Sequence, residues 1–258
     1  MIEICMRMQL KIGLTLSGGG VRGIAHLGVL KALEEAGIKP SVISGTSSGA
    51  TVGALYAAGN SPEAILEIVK REKFFSFRNL LIGKAGLFNM RRFEKLYHKY
   101  MPENTFESLS IPLFVAATDI VDGHSVFFSS GALSPALLAS SCVPMIFQPV
   151  RINGSVYLDG GITNNFPIEC LIGKCDLLIG VHVNSISSRV DQLHMKDMVD
   201  RSFHLVISGR VKEKSLLCDI FIEPKEMSRF GLFDFKKADV IFEVGYEKAI
   251  QVLNDSNF

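Results

Sequence analysis

The sequence predicts an α/β fold with a mainly parallel central sheet covered by helices on both faces. Three observations carry that expectation. Short aliphatic and β-branched runs alternate with segments of helical periodicity along most of the 258 residues. Glycine and proline punctuate the junctions between them. Apolar residues make up 48% and charged residues 21%, with 9 prolines, so a sizeable core is available and disorder is not expected. Residues 9–258 read as a single domain without repeat, low-complexity tract or linker, and residues 1–8 as a disordered leader.

The elements follow in order. Gln9 to Leu16 has the composition of a strand entering a buried sheet. Arg22 to Ala36 spaces Ile24, Leu27, Leu30 and Leu33 helically, and Gly37 ends it ahead of Pro40. Ser41 to Ser44 is a short strand, and Ser48 to Ala58 a helix of small residues stopped by Gly59. Ser61 and Pro62 then resemble the N-cap and first residue of a helix reaching about Arg71. Phe74 to Phe88, rich in Phe and Leu, reads equally as core or as a mobile lid, and Phe230 to Phe235 carries the same ambiguity. A helix is expected over Met90–Tyr100, and a strand over Ile111–Thr118 turns at Val121-Asp122-Gly123-His124 into a paired strand, Ser125–Ser129. After a helix over Ser134–Ser141, Val156–Leu158 is a strand ending at Asp159-Gly160-Gly161. Asp176–Val183 and Asp219–Ile222 are strands, and Met195–Lys214 and Ala238–Leu253 are helices.

Composition narrows the function. Lys and Arg number 27 against 26 Asp and Glu, with no basic run, which speaks against a nucleic-acid partner. Five cysteines without a Cys-x-x-Cys argue for a reducing, cytoplasmic setting and against a disulfide framework or zinc site. No run of apolar residues is long enough to span a bilayer, and no metal or other cofactor is implied.

Two glycine-rich turns carry the chemistry. Gly18-Gly19-Gly20-Val21-Arg22-Gly23 follows a strand and opens a helix, satisfying the dinucleotide pattern Gly-x-Gly-x-x-Gly. That fold also needs an acid at the end of the second strand, where this chain has Ser44-Gly45-Thr46-Ser47, so the nucleotide-binding oxidoreductase is the weaker alternative. Bare amides at a helix start stabilise any developing negative charge, whatever the ligand. Arg22 stands where the helix dipole disfavours a cation, and either braces the loop or meets an anionic part of a substrate.

Gly45-Thr46-Ser47-Ser48-Gly49 is a Gly-x-Ser-x-Gly pentapeptide between a strand and a helix, as a nucleophile elbow requires. Ser48 beside it is expected to cap that helix. A serine nucleophile needs a base. His182, His194 and His204 have no motif around them, whereas Asp159 ends a strand and is followed by Gly160 and Gly161, which allow close backbone approach. The simplest complete set is a Ser47–Asp159 dyad. Cys142, with no histidine near it in sequence, reads as a buried small hydrophobe.

The glycine loop, Gly45-Thr46-Ser47-Ser48-Gly49 and Asp159-Gly160-Gly161 occur in the order and approximate spacing of the patatin-like phospholipases. Ala139 to Pro149 and Asn164-Asn165-Phe166-Pro167 also resemble that family, so the likeness runs from about Leu10 to Ile250. The resemblance implies a three-layer α/β/α fold with Ser47 as nucleophile and Asp159 as base. It also implies an oxyanion hole of amides around Gly18, Gly19, Gly20 and Val21, supported by Arg22, Gly23, Gly45, Gly49, Gly160 and Gly161. The implied activity is hydrolysis of lipid acyl esters, with a peripheral membrane contact among the expectations. A catalytically silent regulator of the same fold and an acyltransferase remain open at this point. Ser17 departs from the plant members, which begin the glycine motif with Asp.

Overall fold

The computed structural model describes residues 10–72, 90–186, 208–231 and 235–256, together with Met198, Ser202, Leu205 and Val206. Eight strands form one sheet among these residues: β1 (Ile12–Leu16), β2 (Val42–Thr46), β3 (Leu113–Asp119), β4 (His124–Phe128), β5 (Val150–Ile152), β6 (Ser155–Asp159), β7 (Leu177–Val181) and β8 (Ile220–Ile222). The order is β5-β6-β3-β2-β1-β7-β8, with β4 paired to β3. The run β3-β2-β1-β7-β8 is parallel. β4 and β6 are antiparallel to β3, and β5 is antiparallel to β6. The sheet is therefore mixed and mostly parallel, with an antiparallel end that carries Asp159.

Helices cover both faces, giving the three-layer α/β/α arrangement. They are α1 (Ala25–Glu35), α2 (Ser48–Ala57), α3 (Pro62–Glu72), α4 (Arg91–Tyr100), α5 (Leu133–Ser140), α6 (Gly161–Asn164), α7 (Val211–Ser215) and α8 (Ala238–Asp255). Because successive strand residues point to opposite faces, Leu14, Leu16, Ile43, Ile179 and Val181 join one large core, which α1 to α5 and α8 supply from the helical side. Val42 and Leu178 point the other way, into a smaller cluster with Phe166, Ile168, Leu171 and Val211. Leu27, Leu30 and Leu33 of α1 are at most 1% exposed, and burial of each is worth roughly 1.5–3 kcal/mol against an exposed side chain.

Helix punctuation follows the sequence. Past α1, Gly37 takes φ 72° and Ile38 returns its amide to the Leu33 carbonyl at 2.8 Å. Ser61 Oγ accepts the Ala64 amide at 3.2 Å at the start of α3. β3 and β4 pair antiparallel across the expected turn, but His124, read as a turn residue, opens β4 opposite Asp119.

Three readings change. The helix expected from Arg22 begins as a 3-10 turn, Gly20–Ile24, and becomes α-helical at Ala25, because the loop glycines tighten its first turn. β5, only three residues long, lies outside the strands that the sequence predicts and forms a hairpin with β6. Of the segment expected as a helix over Met195–Lys214, Met198, Ser202, Leu205, Val206 and Ser208 are helical, and α7 begins past a turn at Gly209 and Arg210. Residues 1–8, the Phe74–Phe88 stretch and residues 232–234 lie outside the described residues, whereas Phe230 is buried in the core.

Candidate active site

Strand pairing brings the two turns together. Val115 and Ala116 of β3 pair with β2 and also with β4, so β2 and β4 lie on opposite edges of β3. Ala117 pairs with both β4 and Asp159 of β6, so β6 lies on the edge that β2 occupies. β2 ends at Thr46 opposite Ala116, and β6, running the other way, ends at Asp159 opposite Ala117. The C-termini of two oppositely directed strands thus meet on consecutive residues of one partner. Ser47 is the next residue on one side of that junction, and Gly160 on the other.

Ser47 has φ 53° and ψ −120°, outside the ordinary basins for a side-chain-bearing residue. Such a backbone costs about 1–3 kcal/mol and persists only where its surroundings hold it. Here its carbonyl starts α2 by accepting the Thr51 amide at 3.0 Å, and its own N–H donates to Ser140 Oγ at 2.8 Å. Gly49 is required two residues on, because a Cβ there would press on the Leu16 carbonyl and meet the Ser17 carbonyl at 2.5 Å. Gly45 is packed against Ala50, and Gly23 against the Ser48 hydroxyl. Ser48 does not cap α2, and its buried hydroxyl has no partner among the described residues.

Asp159 is 3% exposed, and burial pushes its carboxyl up to about 6 from the usual carboxylate range. The Gly161 amide, 2.7 Å from Oδ1, and a hydrogen bond with the Ser47 side chain oppose the rise. Its backbone is fixed by the Cys142 carbonyl, which accepts the Asp159 amide at 2.9 Å, and by Thr118 Oγ1, which donates to the Asp159 carbonyl at 2.9 Å. Gly160 lies directly against the Ala116 carbonyl, leaving no room for a side chain. The Cys142 thiol is fully buried and pushed up to about 12 by burial first and by the Asp159 charge second, so it is a neutral packing group.

The glycine loop lies beside this junction. A Cβ on Gly18 would stand 3.1 Å from Ser47 Cβ and 2.5 Å from Asn165 Oδ1. The Gly18 amide donates to the Asn165 carbonyl at 3.3 Å. No backbone carbonyl among the described residues accepts the amides of Gly19, Gly20 or Val21. Gly20 takes φ 58°, which turns the loop into the 3-10 segment. Arg22, 5% exposed, donates from Nε to the Phe230 carbonyl at 2.8 Å, so it braces the loop against the chain ahead of α8.

Polar side chains that carry no sequence pattern hold the loop from behind. Ser17 Oγ accepts the Val183 amide at 3.1 Å, and the Ser17 carbonyl lies 2.8 Å from His26 Nε2. That bond assigns the proton to Nε2, because burial lowers His26 to about 4 and keeps the ring neutral. Asn184 Nδ2 donates to the Gly18 carbonyl. Asn165 Nδ2 and Asn184 Oδ1 are buried without a partner among the described residues. His182 pairs through Nδ1 with Glu223 at 2.8 Å, and His194 and His204 lie outside the described residues. Among the described residues no three His, Cys, Asp or Glu side chains gather as metal ligands, and no helix is long and apolar enough to cross a membrane.

Known proteins resemble the chain at three levels. The family description patatin-like phospholipase matches residues 14–172, the stretch that contains all three turns. An uncharacterized NTE family protein of Mycobacterium tuberculosis is 34% identical over 181 residues, covering 67% of this chain and 49% of that protein. Lysophospholipase nte1 of Aspergillus fumigatus is 27% identical over 278 residues, covering 94% of this chain and 18% of the fungal protein. The chain therefore spans half or less of the length of these relatives. In fold it is similar to VipD from Legionella pneumophila, with a TM-score of 0.55 at 17% identity over 96% of this chain and 67% of that one. With more than half of its length matched by the family description, the chain belongs to the patatin-like phospholipase family.

Proposed function

We propose that the chain is a serine acyl hydrolase of lipid esters, with Ser47 as nucleophile and Asp159 as its base. One observation carries the reading: a serine held in a strained elbow at the start of α2 shares a junction with a buried carboxyl whose affinity for protons is raised. Asp159 accepts the Ser47 proton as Oγ attacks the ester carbonyl carbon, and the carbonyl oxygen takes the negative charge. The amides of Gly19, Gly20 and Val21 are the donors left open to receive that charge, and Gly18 shapes the loop. Collapse of the tetrahedral species breaks the bond to the alcohol, which leaves with the proton from Asp159. Water then attacks the acyl-enzyme, giving its proton to Asp159, and the fatty acid departs as the proton returns to Ser47.

The lipid substrate follows from family membership, and relatives named as lysophospholipases favour glycerophospholipids or lysophospholipids within that class. No cofactor enters the sequence of steps. A cytoplasmic protein meeting its substrate at a membrane surface fits this reading. The test is labelling by a fluorophosphonate, followed by a panel of phospholipids, lysophospholipids and p-nitrophenyl esters. Wild type is expected to label at Ser47 and to turn over at least one ester. The Ser47→Ala variant should not label and should lose about 10⁴-fold or more in kcat. Unlabelled, inert wild type would favour the catalytically silent alternative.

A further inference from the structure

We infer that Ser140 is a positioning residue that holds the nucleophile turn and the aspartate turn in register through its hydroxyl and its carbonyl. The inference rests on Ser47 and Asp159 having the roles proposed above. Ser140 is the last residue of α5 and is fully buried. Its Oγ accepts the N–H of Ser47 at 2.8 Å and donates to the Ala116 carbonyl at 2.6 Å. Its own carbonyl accepts the Gly160 amide at 3.3 Å. One residue thus touches the nucleophile's backbone, the residue after the base, and the strand position at which β2 ends.

This contact differs from ordinary helix capping. The Ser47 N–H is a buried donor on a strained residue, and without an acceptor it would carry a desolvation cost of roughly 1–3 kcal/mol. The Ser140 hydroxyl both satisfies that donor and opposes relaxation of Ser47 towards an ordinary φ/ψ basin. It also commits the Ser47 amide, which leaves oxyanion stabilisation to the glycine loop. A hydroxyl does both tasks because it can accept from one turn while donating to β3. Alanine keeps the helix but offers neither.

The experiment compares Ser140→Ala with Ser134→Ala. Ser134 is a buried serine at the other end of α5 whose Oγ accepts from Asn104 at 3.0 Å, and it controls for the loss of any buried hydroxyl from that helix. The readouts are kcat and KM on a p-nitrophenyl ester, the rate of fluorophosphonate labelling at Ser47, and amide hydrogen exchange at Ser47 and Gly160. Ser140→Ala is expected to lower kcat and labelling about 10–100-fold with KM within about threefold, since small misplacements of reacting groups cost on that order. The Ser47 amide should exchange faster while the rest of the sheet stays protected. Ser134→Ala should leave kcat within about twofold.

Unchanged kcat and unchanged Ser47 exchange in Ser140→Ala would overturn the inference, as would an equal fall in kcat in Ser134→Ala. An inert wild type is a separate failure, that of the hydrolase reading. In that case the exchange of Ser47 alone decides whether Ser140 holds the elbow.

Discussion

Ser47 and Asp159 are brought together chiefly by strand pairing, with Ser140 bridging their turns, whereas the glycine loop beside them is held by single backbone and side-chain contacts from distant parts of the chain. On the Ser47–Asp159 side, β2 and β6 end against consecutive residues of β3, so the backbone ladder sets the approach of the two turns and Ser140 ties them to that strand. On the loop side, Gly18 is held by the Asn165 carbonyl and the Asn184 amide, and Ser17 is held by Val183 and His26. The difference predicts two kinds of failure. If Ser47 and Asp159 have the roles proposed above, damage on their side takes a reacting group out of a rigid frame, so activity should go while the fold stays. Damage to the loop side shifts donors by fractions of an ångström, so activity falls by degrees and stability falls with it.

The largest effect is expected from Asp159→Asn. It keeps an oxygen that can accept the Gly161 amide, 2.7 Å from Oδ1 in the wild type, but it cannot take a proton from Ser47. A loss of about 10³-fold or more in kcat should follow. Stability should move the other way. A carboxyl whose pKa in the folded protein is raised to about 6 binds its proton more tightly there than in the unfolded chain. Its contribution is therefore fully present below the unfolded value and is lost as pH rises through about 6. At pH 7.5 the ionised carboxylate opposes folding by on the order of 2–3 kcal/mol, and the asparagine variant is spared that cost. Thermal melts should show the variant at least as stable as wild type at neutral pH, with the gap closing as pH is lowered towards 4. For the same reason wild-type kcat/KM should fall to half near pH 6 on the acid side. An acid limb below pH 4.5 would show that the Asp159 carboxyl is not raised in the working protein, and the stability gain expected of Asp159→Asn at neutral pH should then vanish with it.

An intermediate effect is expected from Asn184→Ala on the loop side. The substitution removes the donor to the Gly18 carbonyl and a fully buried side chain. With Gly18 freed, the open amides of Gly19 to Val21 lose their common frame. The expected result is a 10–100-fold fall in kcat with KM little changed, together with a lowered melting temperature. A variant with full kcat and a lowered melting temperature would mean that the loop holds its shape without Asn184.

These two sides also differ in how well the sequence announces them. The dyad turns are marked by glycines that the chain needs for close approach, at Gly49 against the Ser17 carbonyl and at Gly160 against the Ala116 carbonyl. Local punctuation of the same kind made most helices and strands readable, as with Gly37 at φ 72° and Gly59 at φ 93°. The antiparallel end was harder. β5 is three residues, too short for any periodicity, yet its hairpin with β6 helps direct Asp159 at Ser47. Ser140 and Asn184 could not be assigned a role from sequence at all. A lone Ser or Asn has no period, and their partners lie 93 and 166 positions away, fixed by strand register. Arg22 and Ser17 were visible as oddities, but only the packing gave them partners.

The smallest effect belongs to Ser17→Ala, and it sharpens the comparison because it touches the loop without touching its donors. Ser17 Oγ accepts the Val183 amide at 3.1 Å across the β1–β7 seam, while the Ser17 carbonyl remains available to His26. Alanine leaves the Val183 N–H buried without an acceptor, at roughly 1–3 kcal/mol. The His26 bond and the Asn184 bond still hold the loop, so kcat should change by less than about fivefold while chemical denaturation midpoints shift downwards. If kcat instead falls as far as in Asn184→Ala, the seam between β1 and β7 sets the position of the oxyanion donors, and the loop must be regarded as an extension of the sheet. A small kcat effect beside a measurable stability loss would locate the control of the loop amides in the Asn184 side chain and the Asn165 carbonyl, which grip Gly18.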